Sequence, residues 1–256
     1  MKKFSKLTIL IPCYNEEKGI GRVIDEIPRR ILQKLGYKIE VIVINNNSTD
    51  KTVLVARKRK VTVISEKQKG KGYAIKRAFN SLSPDTEFVV MIDGDNTYKS
   101  KEIPRLVEPL ASNFCDVVVG SRLGGKIKKD SLKFQNRIAN WMYTFLVRQL
   151  YRANITDVLS GFFAWKKEVI DRLNPHLEAN GFDIEMEMIT KMKKLGFSIY
   201  SVPITYDQRL GESKLNSYKD GFRILFTSIK NLSWSPIKRQ NKFGFISYAI
   251  KSIFTF

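Results

Sequence analysis

An α/β fold with a mostly parallel central sheet is predicted by this sequence of 256 residues, and three observations support it. Short apolar runs alternate with amphipathic segments through residue 120, as they do in consecutive strand-helix-strand units. Polar residues follow the ends of several runs, at the edge where open α/β sheets bind their ligands. The composition, with 43% hydrophobic and 27% charged residues, fits one globular domain with or without an appendage.

The first half of the chain carries the strands and helices of this sheet. Leu7–Ile11 is a buried strand that Pro12 should stop. The segment from Ile20 to Leu35 is an amphipathic helix that Pro28 should kink or split. The remaining apolar and amphipathic runs predict strands at 39–44, 61–64, 88–92 and 116–119, with helices at 73–82 and 104–111.

The strand at 88–92 ends in two acids separated by glycine, Asp93-Gly94-Asp95. Because residues two apart on a strand point to the same face, the side chains of Asp93 and Asp95 start on one side of the chain. Gly94 allows the backbone to turn, so that both can converge on one divalent cation. Two hard oxygen ligands with open positions suit Mg²⁺ or Mn²⁺ carrying a substrate diphosphate. The alternative is a turn in which Asp95 caps the next segment.

Two further polar loops follow strands in this half. The loop 45–50, Asn-Asn-Asn-Ser-Thr-Asp, has the residues of a turn that caps the following helix. The loop 67–72 places lysines and glycines before a helix N-terminus, where backbone N–H groups can cradle a phosphate. A solvated basic turn is the alternative for that loop.

After residue 122 the character of the chain changes. A Gly/Lys loop is predicted at 123–131, helices at 134–152, 183–195 and 218–234, and a strand at 197–206 that Pro203 places at an edge. The helix 134–152 sets large apolar residues opposite arginines, which describes a membrane-interface helix or an ordinary core-facing one. The helix 218–234 is a second amphipathic helix with its large apolar residues on one side. Asp183 and Glu185 are interpreted as a solvated helix start rather than as catalytic acids. His176 is expected on a surface loop, and both cysteines are expected to be packed thiols.

The net charge of +20 and the pI near 9.9 are the unusual properties of the whole chain. They imply an anionic partner, which could be nucleic acid, an acidic membrane surface or phosphorylated substrates. No signal peptide is expected, and no apolar run approaches the roughly 20 residues that span a bilayer. Two cysteines do not make a disulfide framework, so a reducing cytosol is expected.

Seven short motifs occur in the order found in family 2 glycosyltransferases of the GT-A fold. They are Ile11 to Glu17, the Asn-Ser-Thr-Asp turn, Gly70-Lys71-Gly72, Asp93-Gly94-Asp95, Gly120-Ser121-Arg122, Ser160-Gly161-Phe162, and Arg209 to Lys214. From residue 5 to about 235 the chain most resembles the dolichyl- or polyprenyl-phosphate sugar synthases. The resemblance implies a Rossmann-like GT-A domain at 1–235, with a nucleotide-sugar-binding half (1–120) and an acceptor-binding half (121–235). The apolar and basic tail, 236–256, would associate with the membrane.

The reaction that the resemblance implies is an inverting, direct displacement. Asp93 and Asp95 would hold Mg²⁺ or Mn²⁺ on the nucleotide diphosphate, and Arg209 and Lys214 would neutralise the same diphosphate. The acceptor would be a phosphate monoester, which is largely dianionic at pH 7 and needs no general base. The residues expected to bind the donor are Pro12, Tyr14, Glu16, Asn45, Asn46, Lys71 and Gly94. Those expected to bind the acceptor are Arg122, Asp157, Ser160 and, for its place on the basic helix, Arg137.

One departure from the family concerns the donor. Asn45 and Asn46 stand where the family usually has aspartates, and an amide can donate as well as accept hydrogen bonds. The segment Asn96-Thr97-Tyr98 looks more like the UDP-sugar branch, so a UDP-hexose or UDP-N-acetylhexosamine is expected. The other partners expected are dolichyl or polyprenyl phosphate and an anionic membrane surface at the cytoplasmic face, without nucleic acid.

Four alternatives stay open at this stage. The donor could be GDP-mannose, or the acceptor a glycan, which would require a general base. The chain could be a nucleotidyltransferase that releases pyrophosphate. It could also be a non-catalytic basic module for nucleic acid or membrane, indifferent to the loss of Asp93 or Asp95.

Overall fold

The computed structural model describes residues 4–211 and 214–236, and in that part of the chain a seven-stranded sheet forms the centre of the molecule. The strands are β1 (Ser5–Cys13), β2 (Tyr37–Asn45), β3 (Thr62–Ser65), β4 (Thr86–Met91), β5 (Val117–Ile127), β6 (Phe163–Lys166) and β7 (Ile199–Tyr206). Their order is β3-β2-β1-β4-β6-β5-β7. Strands β1 to β4 are parallel, and β6 runs antiparallel between β4 and β5. The mostly parallel sheet predicted from the sequence is therefore confirmed.

Helices flank this sheet on both faces. They are α1 (Ile20–Asp25), α2 (Arg29–Lys34), α3 (Thr52–Arg57), α4 (Lys71–Asn80), α5 (Ile103–Ala111), α6 (Phe134–Tyr151), α7 (Lys167–Leu173), α8 (Ile184–Lys194) and α9 (Ser217–Lys230). Along β1, Leu10 belongs to one hydrophobic cluster, whereas Ile9 and Ile11 belong to the other. Both faces of the central strands are buried, which is why these strands read as continuous apolar runs.

Two prolines behave as the sequence predicts, and one does not. The first helix is split at Pro28 into α1 and α2, and Pro203 lies in the edge strand β7. Pro12, however, does not stop β1, which continues to Cys13. The last pair between β1 and β4 joins Leu10 to Met91, so Pro12 lies beyond that ladder, where its missing N–H costs no strand hydrogen bond.

The loop predicted at 123–131 is also wrong, because β5 continues through Gly120-Ser121-Arg122 to Ile127. Pairing with β7 resumes at Lys126 and Ile127 after a register shift. A Cβ on Gly125 would lie 2.0 Å from the Ile204 carbonyl oxygen, so glycine lets the two backbones approach. Tertiary pairing here outweighs the low strand propensity of glycine and lysine.

None of the helices in the described residues has both the length and the apolar character needed to cross a bilayer. The predicted membrane-associated tail, 236–256, lies outside the described residues except for residue 236.

Candidate active site

A cleft of about 320 Å³ opens at the carboxyl ends of β1 and β4, beside the N-terminus of α4. Ten of the predicted site residues line it: Pro12, Tyr14, Glu16, Asn46, Lys71, Asp93, Gly94, Asp95, Arg209 and Lys214. The second half of the chain contributes Phe182 and Leu215 to the same cleft. The parallel strands bring these residues together because their carboxyl ends meet at one edge of the sheet.

The two aspartates after β4 present different oxygens to the cleft. Asp95 is almost completely buried, and its Oδ1 accepts hydrogen bonds from the Thr97 N–H (2.9 Å) and hydroxyl (2.6 Å). Asp95 therefore caps the next turn through Oδ1, as the alternative interpretation of this motif expected. Asp95 Oδ2 accepts no hydrogen bond from the described residues, and Arg209 Nη2 lies 2.5 Å from it. This oxygen is the one that Asp95 can offer to a ligand.

Asp93 is paired with a partly buried lysine. Lys71 Nζ, at the start of α4, lies 2.9 Å from Asp93 Oδ1 and 2.6 Å from Glu185 Oε1 on α8. Burial alone would lower the pKa of Lys71, but the two carboxylates outweigh it and raise that pKa above its usual value. Burial raises the pKa of Glu185, and Lys71 opposes the shift. Lys71 is thus a fixed positive charge inside the cleft.

Arg209 makes a second bridge of the same kind. Its Nη2 contacts Asp95, and its Nη1 lies 3.2 Å from Glu16 Oε1. Burial, with the nearby charge of Asp95, raises the pKa of Glu16 to about 8. Each aspartate of the motif therefore shares a protein cation with the carboxyl group of a glutamate, Asp93 with Glu185 and Asp95 with Glu16.

The basic loop before α4 is held in place rather than solvated along its whole length. Asn46 donates from its amide to the Gln68 carbonyl (2.6 Å) and accepts from the Gly70 N–H (2.8 Å). Gly70 has φ +144°, and a Cβ there would lie 2.2 Å from the Asn180 carbonyl oxygen. The solvated alternative fits the exposed Lys69 but is wrong for Lys71.

Asn45 and Asn46 were both expected at the donor. Asn45 accepts from the Ser48 N–H through its side-chain oxygen, which closes the turn after β2, and Asn46 positions the basic loop. Contact of either residue with a donor stays a prediction.

Three of the predicted acceptor residues form a buried network beside the cleft instead of lining it. Arg122 donates to both oxygens of Asp157 at 2.8 Å, and Asn140 donates to the same carboxylate at 2.7 Å. Burial favours protonation of Asp157, but Arg122 and Asn140 hold its pKa below the usual value. Ser160 donates to the Gly120 carbonyl (2.6 Å), whereas Arg137 is exposed on α6. Their contact with an acceptor stays a prediction.

Sequence reasoning missed the importance of the start of α8. The interpretation of Asp183 and Glu185 as a solvated helix start is wrong, since both are buried and paired, Asp183 with Arg223 and Glu185 with Lys71. The signal was present in the sequence, because Glu185 and Glu187 stand among Ile and Met residues with no exposed face. Acids inside such an apolar run must be paired.

The chemistry of the aspartates fits a divalent cation. Asp93 and Asp95 offer hard carboxylate oxygens, and the buried Asp95 Oδ2 is paired with the Arg209 guanidinium at 2.5 Å, so it already binds a cationic group. Across residues 4–211 and 214–236, no group of three or more His, Cys, Asp or Glu side chains is arranged to hold a metal ion. Asp93 and Asp95 are the residues that would hold Mg²⁺ or Mn²⁺.

The fold and the cleft define an α/β protein with a two-aspartate, cation-lined site at the sheet edge. The family model described as glycosyl transferase family 2 matches residues 8–173. The chain therefore belongs to glycosyl transferase family 2.

Several curated relatives are archaeal proteins. The dolichyl-phosphate hexose transferase of Haloferax volcanii is 30% identical over 221 residues, which cover 86% of this chain and 91% of the relative. The dolichol-phosphate mannosyltransferase of Pyrococcus furiosus is 34% identical over 94% of this chain and 68% of its own. The low-salt glycan biosynthesis hexosyltransferase Agl6 of H. volcanii is 31% identical over 85% of this chain, but this chain spans only 51% of Agl6.

Among solved structures, glucosyl-3-phosphoglycerate synthase from Mycobacterium tuberculosis, in complex with Mn²⁺, UDP and glucosyl-3-phosphoglycerate, superposes with a TM-score of 0.70. The two chains are 23% identical, and the match covers 91% of this chain and 82% of the other. At this identity the likeness concerns the fold, and the GT-A class expected from the sequence is confirmed.

Proposed function

We propose that this chain is an inverting glycosyltransferase that moves a hexose or N-acetylhexosamine from a nucleotide-diphosphate sugar to dolichyl or polyprenyl phosphate. One observation carries the proposal. Two carboxylates and two partly buried cations, Lys71 and Arg209, converge in one cleft at the sheet edge. Such a site suits a diphosphate with a divalent cation. The similarity to dolichyl-phosphate hexose and mannose transferases supports the acceptor class.

The chemistry is a single displacement. An oxygen of the acceptor phosphate forms a bond to the anomeric carbon, and the bond from that carbon to the donor diphosphate breaks. The nucleoside diphosphate leaves with the bonding electrons, and the configuration at the carbon inverts. The attacking oxygen of a dianionic phosphate carries no proton, so no base is required.

The residues of the cleft act on the leaving group. Lys71 and Arg209 supply positive charge where the diphosphate gains negative charge, in a buried setting that strengthens the attraction. Asp93 and Asp95 would hold Mg²⁺ or Mn²⁺, which when bound acts as a Lewis acid on the phosphate oxygens. Glu16 and Lys214 line both the cleft and an adjoining outer pocket of about 390 Å³, which provides room for the nucleoside.

A UDP-sugar is the donor that we favour. The Asn96-Thr97-Tyr98 segment resembles the UDP-sugar branch, and the M. tuberculosis enzyme of the same fold was solved with UDP and Mn²⁺. GDP-mannose is the main competitor, given the similarity to the P. furiosus mannosyltransferase.

We propose that the chain binds its lipid acceptor at the membrane surface. Large apolar residues are exposed on two adjoining helices, and we call this surface the α6/α9 face. It consists of Phe134, Ile138, Trp141, Met142 and Phe145 on α6, and Tyr218, Phe222, Leu225, Phe226 and Ile229 on α9. On each helix these positions recur every three or four residues and form one stripe.

Hydrogen bonds hold the two helices of that face together. Tyr143 and Tyr151 on α6 donate to the carbonyls of Gly221 and Ser228 on α9. Exposed apolar stripes in a chain of net charge +20 fit an anionic bilayer surface, peripheral and at the cytoplasmic face.

A donor screen tests the proposed reaction. The chain is incubated with Mn²⁺, dolichyl phosphate and radiolabelled UDP-glucose, UDP-N-acetylglucosamine or GDP-mannose, and organic-phase radioactivity is counted. Transfer from a UDP-sugar that requires both dolichyl phosphate and Mn²⁺ is expected. Release of pyrophosphate from a nucleoside triphosphate, or transfer to a glycan without lipid phosphate, would contradict the proposal.

A further inference from the structure

Glu185 is not among the residues that line the cleft, but it contacts Lys71, which is. Its carboxylate is buried on α8 and accepts from Lys71 at 2.6 Å, while the same ammonium group lies 2.9 Å from Asp93. One lysine thus bridges an aspartate of the predicted metal site and a glutamate outside it. A buried cation between two acids is stable because each acid offsets its desolvation.

This arrangement has a consequence for cation binding. A divalent cation on Asp93 must compete with Lys71 for the same carboxylate oxygens. If Asp93 were the lysine's only partner, the competition would leave a partly buried, unpaired ammonium group, which is unfavourable. With Glu185 at 2.6 Å, Lys71 keeps a counter-ion when Asp93 turns to the metal.

We propose that Glu185 is a positioning residue that retains Lys71 when Asp93 binds the divalent cation, so that Lys71 remains in the cleft as a fixed charge for the donor diphosphate. The inference rests on the proposed function. Glu185 touches neither the metal nor the sugar in this role, and it transfers no proton.

The frame around the pair is rigid enough for such a role. Lys71 begins α4, and the Gly72 N–H donates to the Asn180 carbonyl (3.1 Å), which ties the start of α4 to the segment before α8. A Cβ on Gly72 would lie 2.2 Å from the Ala179 carbonyl oxygen, so this contact is closely packed. The backbone segments that carry Lys71 and Glu185 are therefore packed against each other, which fixes the distance between the two side chains.

The test is the affinity for Mn²⁺, measured by the EPR signal of free Mn²⁺ in titrations without donor sugar. Variants are Glu185→Gln, Glu185→Asp, Lys71→Gln and the double variant Lys71→Gln/Glu185→Gln. Asp183→Asn is the matched control, because Asp183 precedes the same helix and is buried but pairs with Arg223. Thermal unfolding of each variant reports whether it is folded.

We expect Glu185→Gln to weaken Mn²⁺ binding about tenfold, equivalent to about 1.4 kcal/mol, because Lys71 then stays on Asp93. Glu185→Asp keeps the negative charge, but its side chain is too short to contact Lys71, so this variant should also weaken Mn²⁺ binding. Lys71→Gln should strengthen binding, and adding Glu185→Gln to it should change the affinity by less than about twofold, since the two residues act through one contact. Asp183→Asn should bind as the wild type does.

Additive effects of Glu185→Gln and Lys71→Gln on the Mn²⁺ affinity, or wild-type affinity in Glu185→Asp, would overturn the inference. Glu185 would then act through its long-range charge and not through its direct contact with Lys71. Failure of the wild-type chain to bind Mn²⁺ at all would overturn the proposed metal site, and this inference with it. The two failures are distinguishable, since only the second is visible without any variant.

Discussion

Among single residues, Asp93 and Asp95 differ in what holds them. Asp95 is fixed by two hydrogen bonds from Thr97, whereas Asp93 is held by Lys71 and by close packing against Gly161. The Gly161 N–H itself donates to the Tyr98 hydroxyl at 2.7 Å. A glycine from the second half of the chain thus limits where Asp93 can place its carboxylate.

Gly161→Ala should disable the site without unfolding the protein. A Cβ at this position would lie 2.1 Å from Asp93 Oδ2, so the carboxylate must move. We expect transfer activity to fall about a hundredfold, because a small displacement of a catalytic group costs a rate factor of that order. The melting temperature should change little. Radiolabelled transfer and thermal unfolding measure the two quantities. Full activity in this variant would show that the position of Asp93 is not critical.

Asn46→Asp tests the role of an amide that the sequence alone associated with the donor. A carboxylate cannot donate to the Gln68 carbonyl, so the 2.6 Å hydrogen bond is replaced by two facing acceptors. We expect the free energy of unfolding to fall by about 1–3 kcal/mol in urea titrations. Asn47→Asp, on the exposed neighbour, should change it by less than about 0.5 kcal/mol. Equal effects of the two substitutions would refute the role of Asn46 in the loop.

At the scale of elements, β5 and the segment after α6 are joined by one buried ion pair. Arg122 on β5 binds Asp157, and the Asp157 carboxylate also receives hydrogen bonds from the Arg122 N–H and from Asn140 on α6. The guanidinium carbon of Arg122 lies 5.4 Å from the centre of the Tyr206 ring on β7. This pair joins three elements behind the cleft.

Asp157→Asn should destabilise the fold strongly. The substitution leaves Arg122 buried without a counter-ion, and we expect a loss of about 3–5 kcal/mol in unfolding free energy at pH 7. Asp171→Asn, which breaks the exposed Lys167–Asp171 pair on α7, should cost less than about 1 kcal/mol. Similar losses for both variants would contradict the importance of the buried pair.

The same ion pair predicts a pH dependence with a definite sign. Because the pKa of Asp157 is lowered in the folded state, the unfolded state binds more protons in acid. The stabilisation is therefore present above the unfolded-state pKa of about 3.9 and is lost as the pH falls through the lower folded-state pKa. The stability difference between wild type and Asp157→Asn should narrow from pH 7 to pH 3 in urea unfolding. A constant difference would contradict this account.

The elements also show how far the sequence could predict the structure. Strands β1 to β4 and the helices between them were visible, because their apolar periodicity is local. The extension of β5 was not, because Gly-Gly-Lys has no strand preference and is ordered only by pairing with β7. The burial of Arg122 with Asp157 depends on contacts between segments 35 residues apart, which no local pattern reveals.

At the scale of the whole molecule, none of the ten residues of the α6/α9 face lines the cleft. Trp141 is 61% exposed and Phe222 is 73% exposed, so neither contributes much to the core. The sequence left open whether these helices face the core or an interface, and in the structure their apolar stripes are exposed. Binding of this face to a membrane stays a prediction.

Vesicle flotation tests the proposed membrane face. Replacing Trp141, Phe145, Phe222 and Phe226 by Ser should abolish co-flotation with vesicles containing anionic lipid, because apolar insertion is removed. Phe114→Ser is the control, since Phe114 is 60% exposed and packs against Tyr200 of β7. Binding of the wild type should decrease with salt. Unchanged flotation of the fourfold variant would contradict the assignment.

The candidate cleft was predicted more completely than the acceptor site. A general rule of open α/β sheets places Asp93 at the sheet edge, and the family resemblance predicts Glu16 and Lys71 at the same site. Glu185 could not, because its function depends on where α8 packs. Arg122 and Ser160 were expected at the acceptor, but their hydrogen bonds lie within the protein.

The most direct measurement is the turnover of Asp93→Asn and Asp95→Asn in the Mn²⁺-dependent transfer of sugar to dolichyl phosphate. Both amides keep the shape of the side chain but remove the charge that would hold the cation. We predict a loss of at least about a hundredfold in kcat for each variant, with Glu178→Gln on the exposed surface unchanged. Full-speed transfer by either amide variant would contradict the central claim that these two carboxylates form the catalytic metal site.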